Sequence, residues 1–101
     1  MNYIRWLPRA RDDLKQIRAF IAQDSKVNAR RWIAKIRRSV EGLRLFPDAG
    51  SIVDELPQAG LREAFVGAYR VIYRVRGNAV EILRVIHGAR LLFDNRESPE
   101  E

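Results

Sequence analysis

In the sequence "VIYRVRGNAVEILRVIHGAR", Val71 to Arg90, two runs rich in β-branched residues flank a Gly-Asn pair. Such runs favour strands, and a Gly-Asn pair between them is typical of a compact hairpin turn. Counting outward from the turn places Arg74 opposite Glu81, an ion pair across neighbouring strands. The stretch therefore predicts an antiparallel β-hairpin.

Alternation along this hairpin predicts two unlike faces, because successive side chains of a strand point to opposite sides of the sheet. The mostly apolar face, expected to lie against helices, consists of Tyr69, Val71, Tyr73, Val75, Val80, Ile82, Arg84 and Ile86. The mixed face consists of Arg70, Ile72, Arg74, Glu81, Leu83, Val85 and His87.

Two amphipathic helices are predicted upstream of the hairpin. Their apolar residues recur at spacings of three and four, first at Ala10, Leu14, Ile17 and Ile21 and then at Ala29, Ile33, Ile36, Val40 and Leu43. Pro8 suits a helix start, Asp12 and Asp13 are expected in the first helical turn, and Asp24 or Ser25 is expected to cap the second helix. The short polar break between the helices predicts an antiparallel helix pair.

The remaining segments complete the predicted architecture. "NYIRWLP" and "LREAFVG" read as strands, whereas "SIVDELPQAG" reads as a loop. The expected fold class is α+β, with an N-terminal strand and an antiparallel two-helix hairpin packed on a mostly antiparallel four-stranded sheet. Residues 1–92 are expected to form a single domain, followed by an acidic flexible tail over residues 93–101.

Composition narrows the function classes. The 101 residues contain no cysteine and one histidine, which excludes disulfides and Cys-based zinc sites, so neither a metal nor another cofactor is expected. No apolar run approaches the roughly 20 residues of a membrane span, and a cytoplasmic protein is expected. The net charge of +6 is uneven, since residues 1–46 carry 12 Lys and Arg against 4 Asp and Glu. A basic half of this kind predicts an acidic partner.

The motifs "PRARDDL", "LRLFPDAG", "GLRE", "YRVIYRV" and "ILRVIHGAR", in this order, resemble the RelE/ParE family of toxin–antitoxin toxins. The resemblance covers Met1 to Arg90. It implies two helices packed on an antiparallel sheet. It also implies a cognate antitoxin, here ParD-like, with an acidic C-terminal segment that wraps the toxin.

The family has two branches, and the resemblance favours one. Toxins like RelE cut messenger RNA in the ribosomal A site, whereas toxins like ParE poison DNA gyrase. Arg70 and Arg90 match the two arginines of RelE, but its lysines have no match and no tyrosine follows Arg90. The resemblance therefore implies a ParE-like gyrase inhibitor with no catalytic residues. The alternatives are a RelE-like nuclease using Arg70, His87 and Arg90, and a degenerate toxin that only binds its antitoxin and helps repress their operon.

Two surfaces follow as expectations. The predicted contact with the target consists of Arg62, Arg70, His87 and Arg90. The predicted contact with the antitoxin consists of Leu14, Ile17, Ile21, Trp32, Ile36, Arg31 and Lys35.

Overall fold

The computed structural model describes residues 2–88, so Arg90 and the expected acidic tail lie outside the described residues. In chain order the elements are β1 (Tyr3–Trp6), α1 (Pro8–Ala22), α2 (Lys26–Glu41), β2 (Ser51–Ile52), β3 (Arg62–Val66), β4 (Tyr69–Arg76) and β5 (Ala79–His87). Short 3-10 turns occupy Gly42–Arg44 and Pro57–Ala59. None of the described helices is long and apolar enough to cross a membrane.

The strands form one sheet in the order β1-β5-β4-β3-β2. β1 runs parallel to β5, and the other neighbouring pairs are antiparallel. This confirms the α+β class, but the described sheet has five strands, not the four expected. The additional strand, β2, pairs only Ser51 and Ile52 with β3. Two residues are too few to show a strand period, so the segment resembled a loop.

The hairpin of β4 and β5 forms as predicted near its turn, where Arg74 lies opposite Glu81. Farther along, Tyr73 pairs with Ile82 while Ile72 pairs with Arg84, which leaves an extra residue in β5. Such a bulge breaks the alternation of side chains. Beyond it the predicted faces are therefore wrong for β5, whereas those of Tyr69, Val71 and Ile72 in β4 are confirmed.

The correction concerns the last residues of β5. Val85 belongs to the core beneath the helices, whereas Ile86 belongs to a cluster on the opposite sheet face. Arg84 lies opposite Ile72 of that second cluster, and its guanidinium nevertheless pairs with Asp13 of α1, with 2.9 Å between Nε and Oδ2.

The helix boundaries agree with the expected signals except in one place. α1 begins at Pro8, and the Ser25 side chain caps α2 by accepting a hydrogen bond from the Asn28 amide at 3.1 Å. Asp12 and Asp13, however, lie beyond the first turn of α1. The expected interaction of these carboxylates with the helix dipole is therefore wrong, since that effect is confined to the first turn.

The core lies between the helix pair and the sheet. Its buried residues are Ala10, Leu14, Ile33, Ile36, Val40, Leu43, Val66, Val71, Tyr73, Val80, Ile82 and Val85. The other sheet face is partly covered by residues 53–61, which contribute to a smaller cluster of Val53, Leu61, Ile72 and Ile86, with Leu56 and Leu83 beside it. The sheet thus carries apolar packing on both faces.

Candidate functional site

Arg70 is buried on the sheet face away from the helices. Its guanidinium donates to both carboxylate oxygens of Glu55, at 2.9 Å each, and its Nε donates to Glu63 at 2.7 Å. The bonds to Glu55 raise the pKa of Arg70 above its ordinary value; burial opposes them and Glu63 adds to them. Arg70 thus stays charged and joins the loop at Glu55 to β3.

Arg62 holds the turn before β2. Its Nη1 donates to the Gly50 carbonyl at 2.7 Å, and its Nε lies 3.8 Å from Asp48 Oδ1. On the same turn the buried Tyr73 hydroxyl donates to the Pro47 carbonyl and accepts from the Gly50 amide, both at 2.8 Å. Burial raises the pKa of Tyr73, against the bond from Gly50, which lowers it. The principal contacts of Arg62 are therefore structural.

His87 is exposed at the end of β5, directly opposite Tyr69 in β4. The two rings meet edge to face, with centroids 5.9 Å apart. Both residues line a groove of about 410 Å³ between α1 and the end of the sheet. The groove side of His87 is the helix side of the sheet, because Tyr69 packs against the core beneath the helices.

The predicted target-contact residues do not share one surface in the described part of the chain. Arg62 and His87 lie on the helix side of the sheet at different ends, and Arg70 lies on the other side, within its two carboxylates. Arg90 is outside the described residues. The contact of Arg62, Arg70 and His87 with a target stays a prediction, and the described positions do not combine these residues into a single patch.

The predicted antitoxin-contact residues divide by burial. Leu14 and Ile36 are 4% and 0% exposed, so they belong to the core of the protein and are not available as a contact surface. The apolar stripes of the two helices correctly predicted buried residues. The sheet covers the middle of these stripes, which leaves them unavailable to a partner. Ile17 and Ile21 are half-buried, whereas Arg31 and Lys35 are exposed.

Trp32 serves as a packing platform on α2. Its ring meets Tyr69 edge to face at 5.7 Å, and the Lys35 ammonium lies 4.9 Å from its centroid. Gly67, at a φ of 58°, lies so close that a Cβ there would overlap the indole of Trp32. A side chain at position 67 is therefore excluded both by space and by backbone conformation.

Phe20 is the functional candidate that sequence reasoning missed. It is 70% exposed and lines the groove with Ile17, Tyr69 and His87. It falls one position before Ile21, outside the core stripe of α1. A large aromatic residue beside such a stripe was the available signal, because exposed apolar patches rimmed by polar residues mark interaction sites.

Metal chemistry has no visible support within residues 2–88. No group of three or more His, Cys, Asp or Glu side chains in that range is placed to hold a metal ion.

Two helices on one face of this five-stranded sheet define a fold shared with known toxin–antitoxin toxins. A structure of the chromosomal ParDE toxin–antitoxin system from P. aeruginosa matches with a TM-score of 0.74 at 22% identity, over 86% of this chain and 96% of that one. The toxin–antitoxin complex RelBE2 from Mycobacterium tuberculosis matches with a TM-score of 0.64 at 27% identity, over 85% of this chain and 96% of that one.

Sequence comparison identifies the family. Residues 4–92 match the model of the ParE toxin of the type II toxin–antitoxin system parDE. Toxin RelE2 of Caulobacter vibrioides is 35% identical over 92 residues, covering 90% of this chain and 100% of the relative. The chain belongs to the ParE toxin family, within the RelE/ParE superfamily of type II toxin–antitoxin toxins.

Proposed function

We propose that this toxin inhibits DNA gyrase and is neutralised by a ParD-like antitoxin. The match to the ParE family supports the proposal. The observation that carries it is the enclosure of Arg70 by Glu55 and Glu63 on one side of the sheet, while His87 lies on the other.

The placement of Arg70 and His87 bears on RNA cleavage, which needs a proton acceptor, a cationic phosphate clamp and a proton donor. Arg70 is always protonated and cannot act as a base. His87 could accept a proton, but a base must lie within hydrogen-bond reach of the reacting group. A phosphate held at Arg70 would have to displace two carboxylates and would still be separated from His87 by the sheet.

The decisive experiment combines two assays on the purified toxin. We expect supercoiling by purified gyrase to be inhibited, and messenger RNA on ribosomes to stay intact. His87→Gln should inhibit gyrase as the parent does. The antitoxin complex, expected to be inactive, is the matched control because it contains the same toxin chain. Failure to inhibit gyrase would contradict the proposal.

A nuclease of the RelE type is the second candidate, favoured by the 35% identity to Toxin RelE2 of Caulobacter vibrioides. It predicts ribosome-dependent cleavage that is lost in His87→Gln. A degenerate toxin is the third, and it predicts antitoxin binding without effect on gyrase or ribosomes. Each candidate thus has its own pattern of outcomes in the same two assays.

We further propose that the antitoxin covers the groove at Phe20 and the basic surface of α2 beside it. Apolar side chains line one part and Arg31 and Lys35 supply positive charge in the other. An amphipathic acidic segment is complementary to both. A stable complex of this kind should bury roughly 2,000 Å² or more.

Phe20→Ser tests this contact. Because aromatic residues at the centre of an interface commonly contribute 2 kcal/mol or more, we expect the antitoxin Kd to rise by about 30-fold or more. Phe65→Ser is the matched control, since Phe65 is 62% exposed but lies on β3 and outside this groove. Calorimetric titration measures both. Equal losses for the two variants would contradict the proposed surface.

A further inference from the structure

Three arginines surround one carboxylate on the sheet face away from the helices. Glu81 in β5 lies between Arg5 of β1 and Arg74 of β4, directly opposite each. Arg74 donates to Glu81 at 2.7 Å, and the guanidinium nitrogens of Arg5 and Arg76 each lie 3.7 Å from its carboxylate oxygens. Three neighbouring strands thus bring Arg5 beside Arg74, Arg76 and Glu81, from which it is distant in sequence.

The cluster has a surplus of positive charge. One carboxylate faces three guanidinium groups, leaving a net charge of +2. At 3.7 Å, Arg5 and Arg76 make ion pairs without a short hydrogen bond, and their side chains are 62% and 66% exposed. Each guanidinium has five N–H donors in a fixed fork. Most of these donors therefore face solvent.

An exposed aromatic residue adjoins the arginines. Tyr3 stands two positions before Arg5 on β1, hence on the same face, and is 48% exposed. Tyr3 lies opposite Ala79 of β5, and Ala79 in turn lies opposite Arg76 of β4. Tyr3 and Arg76 therefore flank the buried Ala79 on the same sheet face. We call Tyr3, Arg5, Arg74 and Arg76 the cationic face.

We propose that the cationic face binds single-stranded nucleic acid, with its arginines on the phosphates and Tyr3 stacked on a base. Guanidinium forks match phosphate geometry, and an aromatic side chain beside a basic surface is how sequence-tolerant single-strand binding is built. The proposal goes beyond gyrase inhibition, because the cationic face includes none of Arg62, Arg70 and His87.

Other occupants fit this surface less well. An acidic peptide would satisfy the charge but gives Tyr3 no flat partner. A duplex presents its phosphates but keeps its bases stacked inside, so the tyrosine would again gain little. Single-stranded DNA and single-stranded RNA both offer phosphates and unstacked bases, and the experiment compares the two directly.

Glu81 has a defined role in this surface. Its bond to Arg74 fixes that guanidinium beside β5, and its charge reduces repulsion among the three arginines. A phosphate arriving at Arg5 and Arg76 replaces a distant partner at 3.7 Å with direct hydrogen bonds. The carboxylate therefore orders the face and also lowers its affinity for polyanions.

The test uses the full chain with fluorescently labelled dT20, U20 and a 20-base-pair duplex, measured by anisotropy across a salt series. We expect both single strands to bind more tightly than the duplex. Arg5→Gln with Arg76→Gln should weaken binding at least tenfold and reduce the slope of log K against log salt by about 1.4, or about 0.7 for each lost phosphate contact. Tyr3→Ser should weaken binding by about 5- to 150-fold without changing the slope.

Two further variants make the result specific. Arg9→Gln with Arg11→Gln removes the same charge from exposed positions of α1 and should change affinity less than threefold. Glu81→Gln should tighten binding. The proposal is overturned if the duplex or a polyglutamate competitor binds as well as dT20, if no strand binds at low salt, or if the α1 pair loses as much affinity as the face variants. Thermal melts of every variant establish that binding is compared among folded proteins.

Discussion

At the scale of single residues, the hydroxyl of Tyr73 ties the sheet to the turn that precedes β2. It donates to the Pro47 carbonyl and accepts from the Gly50 amide in a buried position. We expect Tyr73→Phe to cost about 1–3 kcal/mol, because it leaves buried polar groups of the backbone unsatisfied. Urea unfolding measures this. Tyr3→Phe, at an exposed position, is the control, and an equal loss there would contradict the role assigned to the buried hydroxyl.

The Glu81 carboxylate predicts a pH dependence of stability. The hydrogen bond from Arg74 lowers its pKa below the ordinary 4.5; burial opposes this bond, and the charges of Arg74, Arg76 and Arg5 add to it. A depressed pKa in the folded state stabilises the protein above pH 4.5 and ceases to do so as pH falls through the folded value. Melting temperatures should therefore be higher for the parent than for Glu81→Gln at pH 7, and this difference should shrink below about pH 4.5. A constant difference across that range would contradict the linkage.

At the scale of elements, α1 is fixed to the sheet by one carboxylate. Asp13 accepts from the Val85 amide at 2.8 Å and from Arg84 Nε at 2.9 Å. We expect Asp13→Ala to cost about 3–5 kcal/mol, because it leaves a largely buried guanidinium unpaired. The exposed neighbour provides the control, and Asp12→Ala should change the free energy of unfolding by less than about 0.5 kcal/mol. Similar values for both would show that the ion pair is not what holds the helix.

The elements also show which features a sequence can predict. The start of α1 at Pro8, the Ser25 cap and the Arg74–Glu81 pair depend on residues close in the chain or beside a tight turn, and all three are confirmed. The bulge in β5 was not predicted, because strict alternation of side chains was assumed along an unbroken run of strand-forming residues.

At the scale of the whole molecule, the candidate sites were harder to predict than the fold. Arg70 was expected at a contact surface, yet Glu55, fifteen residues earlier, covers it by folding across the sheet. Phe20 was missed because helical spacing predicts which residues of α1 are buried, but not which exposed residues beside them form a contact surface. Charge counting assigned the basic half of the chain to a partner, whereas the cationic face joins arginines from both halves.

The parallel pairing of β1 with β5 has a consequence for biosynthesis. Tyr3 meets Ala79 only after β5 has been translated, so the earliest strand to leave the ribosome waits longest for its neighbour. Pairings this distant in sequence slow folding, because the chain loses the entropy of closing a long loop before the stabilising contacts form. A nascent chain therefore cannot complete its sheet until synthesis has passed β5.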